Sequence, residues 1–157
     1  MVLETVGMPV LQGTVANLLA VKGMRVHAVA PATTVYEAIA KMDECHVGAL
    51  LVLDGDRLAG IMSERDYTRR VILRGRASRD TAVEEIMTRE LVTVQRSTSL
   101  VECLGIVTKH GIRHLPVVES GKVFGVVSIG DLVRAVLEQQ SETISSLKSY
   151  IQSDYPT

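Results

Sequence analysis

Rings are scarce in this chain: of 157 residues, four are Tyr, one is Phe and none is Trp. That leaves no stacking platform of the kind that holds single-stranded nucleic acid. Charge of one sign is equally short, because 17 Lys and Arg face 18 Asp and Glu, for a net charge of −1. A general polyanion binder carries a clear basic excess, so nucleic acid is not an expected partner. Cys45 and Cys103 are the only thiols, each in a helix-like segment. Two cysteines make no disulfide framework, and a reducing, cytoplasmic setting is expected. Cys45-His46 and His110…His114 lack the paired spacing of a zinc site, so no metal is expected. No apolar run approaches the ~18 residues of a membrane span. The opening Met1–Gly7 carries Glu4 in place of a cationic leader, so neither a signal peptide nor a membrane partner is expected. What the chain holds in quantity is aliphatic side chains. At 46% hydrophobic residues it has ample material for a core, which excludes wholesale disorder.

Those residues recur at a fixed interval. Gly60-Ile-Met-Ser63-Glu-Arg-Asp66 returns 65 positions later as Gly125-Val-Val-Ser128-Ile-Gly-Asp131. The same interval relates Val29 to Val94, Thr33 to Thr98, Glu37 to Glu102, Leu50 to Leu115 and Val71 to Val136, without a gap. Changes within pairs are conservative, as in Ile39/Leu104, Asp54/Glu119 and Ile61/Val126. Chance similarity rarely holds one register over a whole supersecondary unit. The chain is a duplicated module with extensions at both ends.

Each copy reads strand–helix–strand–strand–helix. Val26–Val29 is a short strand that stops at Pro31. Thr34…Glu37 and Ser99…Glu102 are capping boxes that open a helix in each copy. Val35, Ala38, Ile39 and Met42 then share one face of the first of these helices, and Gly111 ends the second as a left-handed cap. Apolar runs on either side of Asp54–Arg57 and Glu119–Lys122 predict hairpins whose strands are covered on both faces. The fold class is α+β: two β-α-β-β-α repeats packed as a pseudo-twofold pair, with N- and C-terminal helices. Boundaries are placed at 1–23 (extension with a short helix capped by Thr14), 24–83, 84–140 and 141–157 (helical extension). A module of under ~65 residues has too little core alone. Packed sheet to sheet, the two copies are expected to share one aliphatic core. The last helix, from Leu132 to about Tyr150, carries an interrupted stripe of Leu132, Val133, Val136, Leu137, Ile144, Leu147 and Ile151. Such a stripe fits a second subunit or simple intramolecular packing.

The repeated Gly-x-x-Ser-x-x-Asp carries the chemistry. Glycine admits close approach of a ligand or another backbone. The Ser hydroxyl stands at a helix start, where the dipole favours anions such as phosphate. Asp, one turn on, offers two oxygens to a ribose diol. The same two residue types are also ordinary N-terminal caps, and duplication copies caps as readily as sites. Both readings stay open at this point. Arg69 and Arg70 add positive charge within reach of a polyphosphate, whereas Arg74, Arg76 and Arg79 read as solvated surface.

The sequence resembles a tandem pair of CBS (cystathionine β-synthase) domains, a Bateman module. The resemblance rests on His46-Val-Gly-Ala-Leu-Leu-Val52, Gly111-Ile-Arg-His-Leu-Pro-Val117, Glu85-Ile-Met-Thr88, Val92-Thr93-Val94 and both Gly-x-x-Ser-x-x-Asp motifs, over about residues 20–140. It implies two clefts between the repeats that take adenosyl ligands: AMP first, with ADP, ATP, NAD or S-adenosylmethionine as others. One implied cleft combines Ser63, Arg65 and Asp66 with Thr88, Thr93, Ile112 and Arg113. The other combines Ser128 and Asp131 with Ala28, Val47 and His114. In the second, Ala28 and Gly130 replace a threonine and an arginine, so the first is expected to hold phosphate better.

The resemblance also implies a homodimer and a regulatory role read by an unidentified effector protein. Catalysis is not expected, since no nucleophile–base pair, phosphate-binding loop or dinucleotide fingerprint accompanies the motifs. The alternatives are a structural scaffold with non-functional clefts and a nucleotide-processing enzyme.

Overall fold

Short polar caps start the helices of this protein, and the caps themselves obey the repeat. In the computed structural model, which describes residues 11–154, Thr34 and Ser99 begin α2 (Val35–Cys45) and α4 (Leu100–His110). Their hydroxyls accept from the Glu37 and Glu102 amides at 3.2 and 3.1 Å. The hydrogen bonds that complete a capping box come elsewhere, from Asn17 in α1 (Val15–Lys22) and from Asp66 in α3 (Glu64–Arg70). Glu37 and Glu102 each follow only one half of the expected pattern.

β2 (Ala49–Asp54) pairs antiparallel with β3 (Arg57–Ser63), and β4 (His114–Glu119) pairs antiparallel with β5 (Lys122–Ser128). The repeat is visible in the register: Val52 faces Gly60, and Val117 faces Gly125. The expected strand Val26–Val29 shrinks to β1 (Ala28–Val29), parallel to β2. Its counterpart at Val92–Val94 is a single parallel bridge, Val94 to Val117, so the second sheet has two strands. The physical reason is local. Val94 satisfies its amide and carbonyl on Pro116 and Val118, while Thr93 beside it is exposed and Val92 lines a cavity. The last helix, α5 (Ile129–Asp154), starts at the residue after Ser128 and runs unbroken past residue 140. The side chain of Ile151 and the residues Met1–Gly7 lie outside the described part of the chain.

The expectation of one shared core is corrected by the structure. Buried apolar residues fall into two clusters, one per repeat. Leu50, Val52 and Met62 of the first repeat are completed by Val83, Ile86 and Met87 from the segment that connects the repeats. Leu115, Val117 and Val127 of the second are completed by Leu11, Val15 and Leu19 from the N-terminal segment and α1. Each undersized module therefore borrows a flanking segment as the missing layer, in place of its twin's core. The opposite faces of the two sheets are covered as well. Leu51 and Pro116, 65 positions apart, alternate away from those cores along β2 and β4 and are both buried.

Candidate functional site

A cavity of about 240 Å³ opens between the repeats. Its walls bring together Ser63, Arg65, Asp66, Thr88, Ile112 and Arg113, six of the seven residues expected in the first cleft. Thr93, the seventh, is exposed and lies outside it. His114, expected in the second cleft, lines this cavity.

The Ser63 and Asp66 geometry answers to both readings of the motif. Asp66 Oδ2 accepts from the Ser63 amide at 2.9 Å and from its hydroxyl at 3.0 Å, and Ser63 Oγ accepts from the Asp66 amide at 3.2 Å. That is a capping box. The second carboxylate oxygen is spared for other work: Asp66 Oδ1 accepts from the Thr88 hydroxyl at 3.1 Å, with Arg70 Nε 3.9 Å away. Thr88 is fixed because its backbone exchanges hydrogen bonds with Ile61 on β3. Arg65 crosses between repeats, its Nη1 donating to the Gly111 carbonyl at 3.1 Å. Arg70 holds the connecting segment through the Ile86 and Met87 carbonyls, and Arg76 and Arg79 engage Glu85 and the Tyr36 ring.

The second set of residues is arranged differently. Ser128 and Asp131 repeat the cap, with the Ser128 amide 2.8 Å from Asp131 Oδ2 and the Asp131 amide 3.1 Å from Ser128 Oγ. Both carboxylate oxygens also meet cations at 2.6 Å, Lys22 Nζ on Oδ2 and Arg134 Nη2 on Oδ1. Burial acts to raise the Asp131 pKa, but the hydrogen bond from Lys22, the Ser128 amide and the lysine charge together hold it below the ordinary carboxylate value. Asp131 lines a groove of about 390 Å³ between α1 and α5. Ala28, Val47 and Ser128 line neither this groove nor the first cavity. The Ala28 carbonyl accepts from Lys41, and Val47 packs on the first core.

Sequence reasoning passed over several lining residues. Glu64 sits inside the repeated motif, and its position there was the available signal; Glu90 and Leu91 carry no motif at all. Lys22 was missed as well. His114 has its pKa lowered by burial first and then by the Lys22 charge, with Asp131 opposing and Arg113 adding to the drop. It lines the cavity while feeling the charges of both Lys22 and Asp131. Among the described residues, no three His, Cys, Asp or Glu side chains group as metal ligands, and no helix is long and apolar enough to cross a membrane.

The sequence matches the CBS domain family twice, over residues 21–72 and 83–138. The chain belongs to the CBS domain family. This CBS pair is 43% identical over 127 residues to the CBS domain-containing protein CBSX3, mitochondrial, of Arabidopsis thaliana. That match takes 78% of this chain and 62% of the relative, so it spans under two thirds of that protein's length. It is 34% identical over 122 residues to the CBS domain-containing protein YhcV of Bacillus subtilis, covering 78% of this chain and 85% of that one. A solved CBS-domain protein from Burkholderia ambifaria, named for a proposed role in signal transduction, superposes with a TM-score of 0.79 at 47% identity. The superposition covers 82% of this chain and 96% of that one. CBS domains are generally regulatory, and the comparisons indicate no catalytic family.

Proposed function

We propose that this CBS pair is a non-catalytic sensor that takes an adenine nucleotide, AMP foremost, in the cavity between its repeats. The observation that carries the reading is the convergence of three chemistries on that one cavity. Ile61, Val92, Ile112 and Pro116 offer aliphatic surface to a purine in a protein without Trp. Asp66 Oδ1 holds a hydroxyl already, and exchanging the Thr88 hydroxyl for a ribose hydroxyl costs little. Arg65 and Arg113 supply guanidinium groups for phosphate. ADP, ATP and NAD share this chemistry. A ligand that bridges the repeats favours one relative orientation by its difference in affinity between states, and a partner protein reads the result. The exposed Val133, Leu137, Ile144 and Leu147 of α5 supply a surface for homodimerisation. Unpaired Cys45 and Cys103 fit a reducing, cytoplasmic compartment.

Calorimetry with AMP tests the site. Asp66→Ala is expected to weaken binding more than Asp131→Ala, and the reverse order would sink the assignment. A thermal-shift screen separates the sensor from a scaffold with dead clefts. Ligand at 100 times its dissociation constant adds about 2.7 kcal/mol, so a flat response to AMP, ADP, ATP and NAD favours the scaffold. Stoichiometric recovery of ATP and NAD after incubation is the expected result against an enzyme.

A further inference from the structure

The two repeats differ where their flanking segments cross them. Over β3, Thr88 donates its amide to the Ile61 carbonyl at 2.9 Å and its hydroxyl to Asp66 Oδ1 at 3.1 Å. The 65-residue interval carries Ile61 to Val126 and Asp66 to Asp131. There the crossing segment is the end of α1, and one side chain makes both contacts. Lys22 Nζ donates to the Val126 carbonyl at 2.7 Å and to Asp131 Oδ2 at 2.6 Å. An ammonium has replaced a backbone amide and a hydroxyl.

The lysine is carried on a fixed support. Leu11, Val15 and Leu19 sit in the second repeat's core, and backbone hydrogen bonds run from Val15 to Thr98 and from Leu100 to Gly13. Lys22 is thus delivered to Asp131 by a docked helix, which keeps its effective concentration there high. The difference this makes to a nucleotide is one of exchange. A ribose hydroxyl that approaches Asp66 displaces another hydroxyl. At Asp131, whose side chain is 5% exposed, it would have to displace an ammonium from one oxygen or a guanidinium from the other. Charge-assisted hydrogen bonds are about twice as strong as neutral ones, so a neutral diol loses that contest.

The geometry points to Lys22 as an internal occupant of the second cleft, the residue that limits this chain to one nucleotide; this role rests on the nucleotide reading above. Lys22 sets the acidic group of the second cleft apart from that of the first, in addition to the Ala28 and Gly130 replacements.

AMP titration calorimetry tests it on wild type, Lys22→Ala, Lys22→Gln and the Lys22→Ala/Asp131→Ala double variant. One AMP per chain is expected in wild type, two in each single variant, and one again in the double variant. Lys22→Gln keeps a donor for Val126 and serves if Lys22→Ala loosens α1. Two AMP in wild type, or one in both single variants, overturns the role of Lys22 and leaves the first cleft standing. No binding in wild type with one AMP in the single variants supports Lys22 and sinks the first cleft. No binding in any of the proteins sinks both.

Discussion

Gly60 and Gly125 occupy the same point of the two repeats, and each is pressed by a different flanking segment. A Cβ on Gly60 would lie 2.7 Å from Met87 Sδ and 2.8 Å from the Thr88 carbonyl oxygen. On Gly125 it would lie 2.9 Å from Leu19 Cδ2, the end of a flexible side chain. Both glycines hold their place because a layer that completes the core passes directly over the strand. The obstacles differ in kind, because the Thr88 backbone is pinned to Ile61 on both sides and Leu19 can change rotamer.

Gly125 carries a second constraint that Gly60 lacks, a φ of 159° that side chains rarely adopt. Gly60→Ala and Gly125→Ala are both expected to destabilise the fold, each by about 1–3 kcal/mol. The first overpacks against fixed backbone, and the second strains its own backbone as it meets Leu19. Urea unfolding midpoints read both losses, and an unchanged midpoint for Gly60→Ala would show that the connecting segment yields as easily as Leu19 does.

A second pair at the same interval gives a stabilising change. His46 caps α2 at φ 54° and Gly111 caps α4 at φ 61°, both left-handed. Glycine adopts that conformation freely, whereas a side chain costs about 1–2 kcal/mol there. His46→Gly should raise stability by about 0.5–1 kcal/mol after glycine's extra unfolded-state entropy is subtracted. In a chain of this size that is about 1–4 °C in Tm. Gly111→His should lower it, and melting curves of the two variants that move in the same direction would contradict the geometry.

The duplication, both hairpins and both capped helices were legible in the sequence because they depend on residues within one module and on an interval that nothing interrupts. Most of the first cavity was legible too, since Ser63, Arg65 and Asp66 belong to the repeated motif and Thr88, Ile112 and Arg113 to the family's. What escaped depends on which segment lies over which sheet. Periodicity marks Val15 and Leu19 as apolar, yet says nothing of the core they complete, and the single shared core followed from that gap. Lys22, in the last turn of α1, reads as a solvated side chain near a helix C-terminus. Carrying the 65-residue interval back beyond Val29 would have flagged it, because Lys22 then falls opposite Met87, in the segment that crosses the first repeat. The missing strand at Val92–Val94 has no such signal.

The two thiols should differ sharply in reactivity. Cys103 is fully buried in the second core, and that burial, with Glu102 adding its charge, pushes its pKa up to about 11. Cys45, at the end of α2, is half-buried. Thiolate is the nucleophile, so alkylation at pH 8 should label Cys45 and spare Cys103 until urea unfolds the chain. Peptide mass spectrometry reads this directly. Equal labelling in the native protein would mean that the α1 layer opens readily over the second core.

His114 makes AMP binding depend on pH, with a sign that can be worked out. In the free protein its pKa is depressed by burial and by Lys22, with Arg113 adding to the drop and Asp131 opposing. The unfolded chain then binds the proton first, so His114's contribution to stability is complete above the ordinary pKa of about 6.5 and is lost as pH falls below it. A phosphate in the cavity that His114 lines reverses the local field and raises the pKa. Binding then takes up a proton, and His114 should favour AMP increasingly as pH falls from 7.5 to 6. AMP's own phosphate gains a proton near pH 6 and loses affinity, so the wild-type profile alone mixes two effects. His114→Gln carries the phosphate effect by itself. The ratio of wild-type to His114→Gln affinity should grow across this interval, by up to about tenfold for each unit by which the pKa rises. Asp131, whose carboxyl is held below the ordinary carboxylate value, stays ionised throughout and drops out of the ratio. A ratio that stays flat with pH would place the phosphate away from His114, on Arg65's side of the cavity.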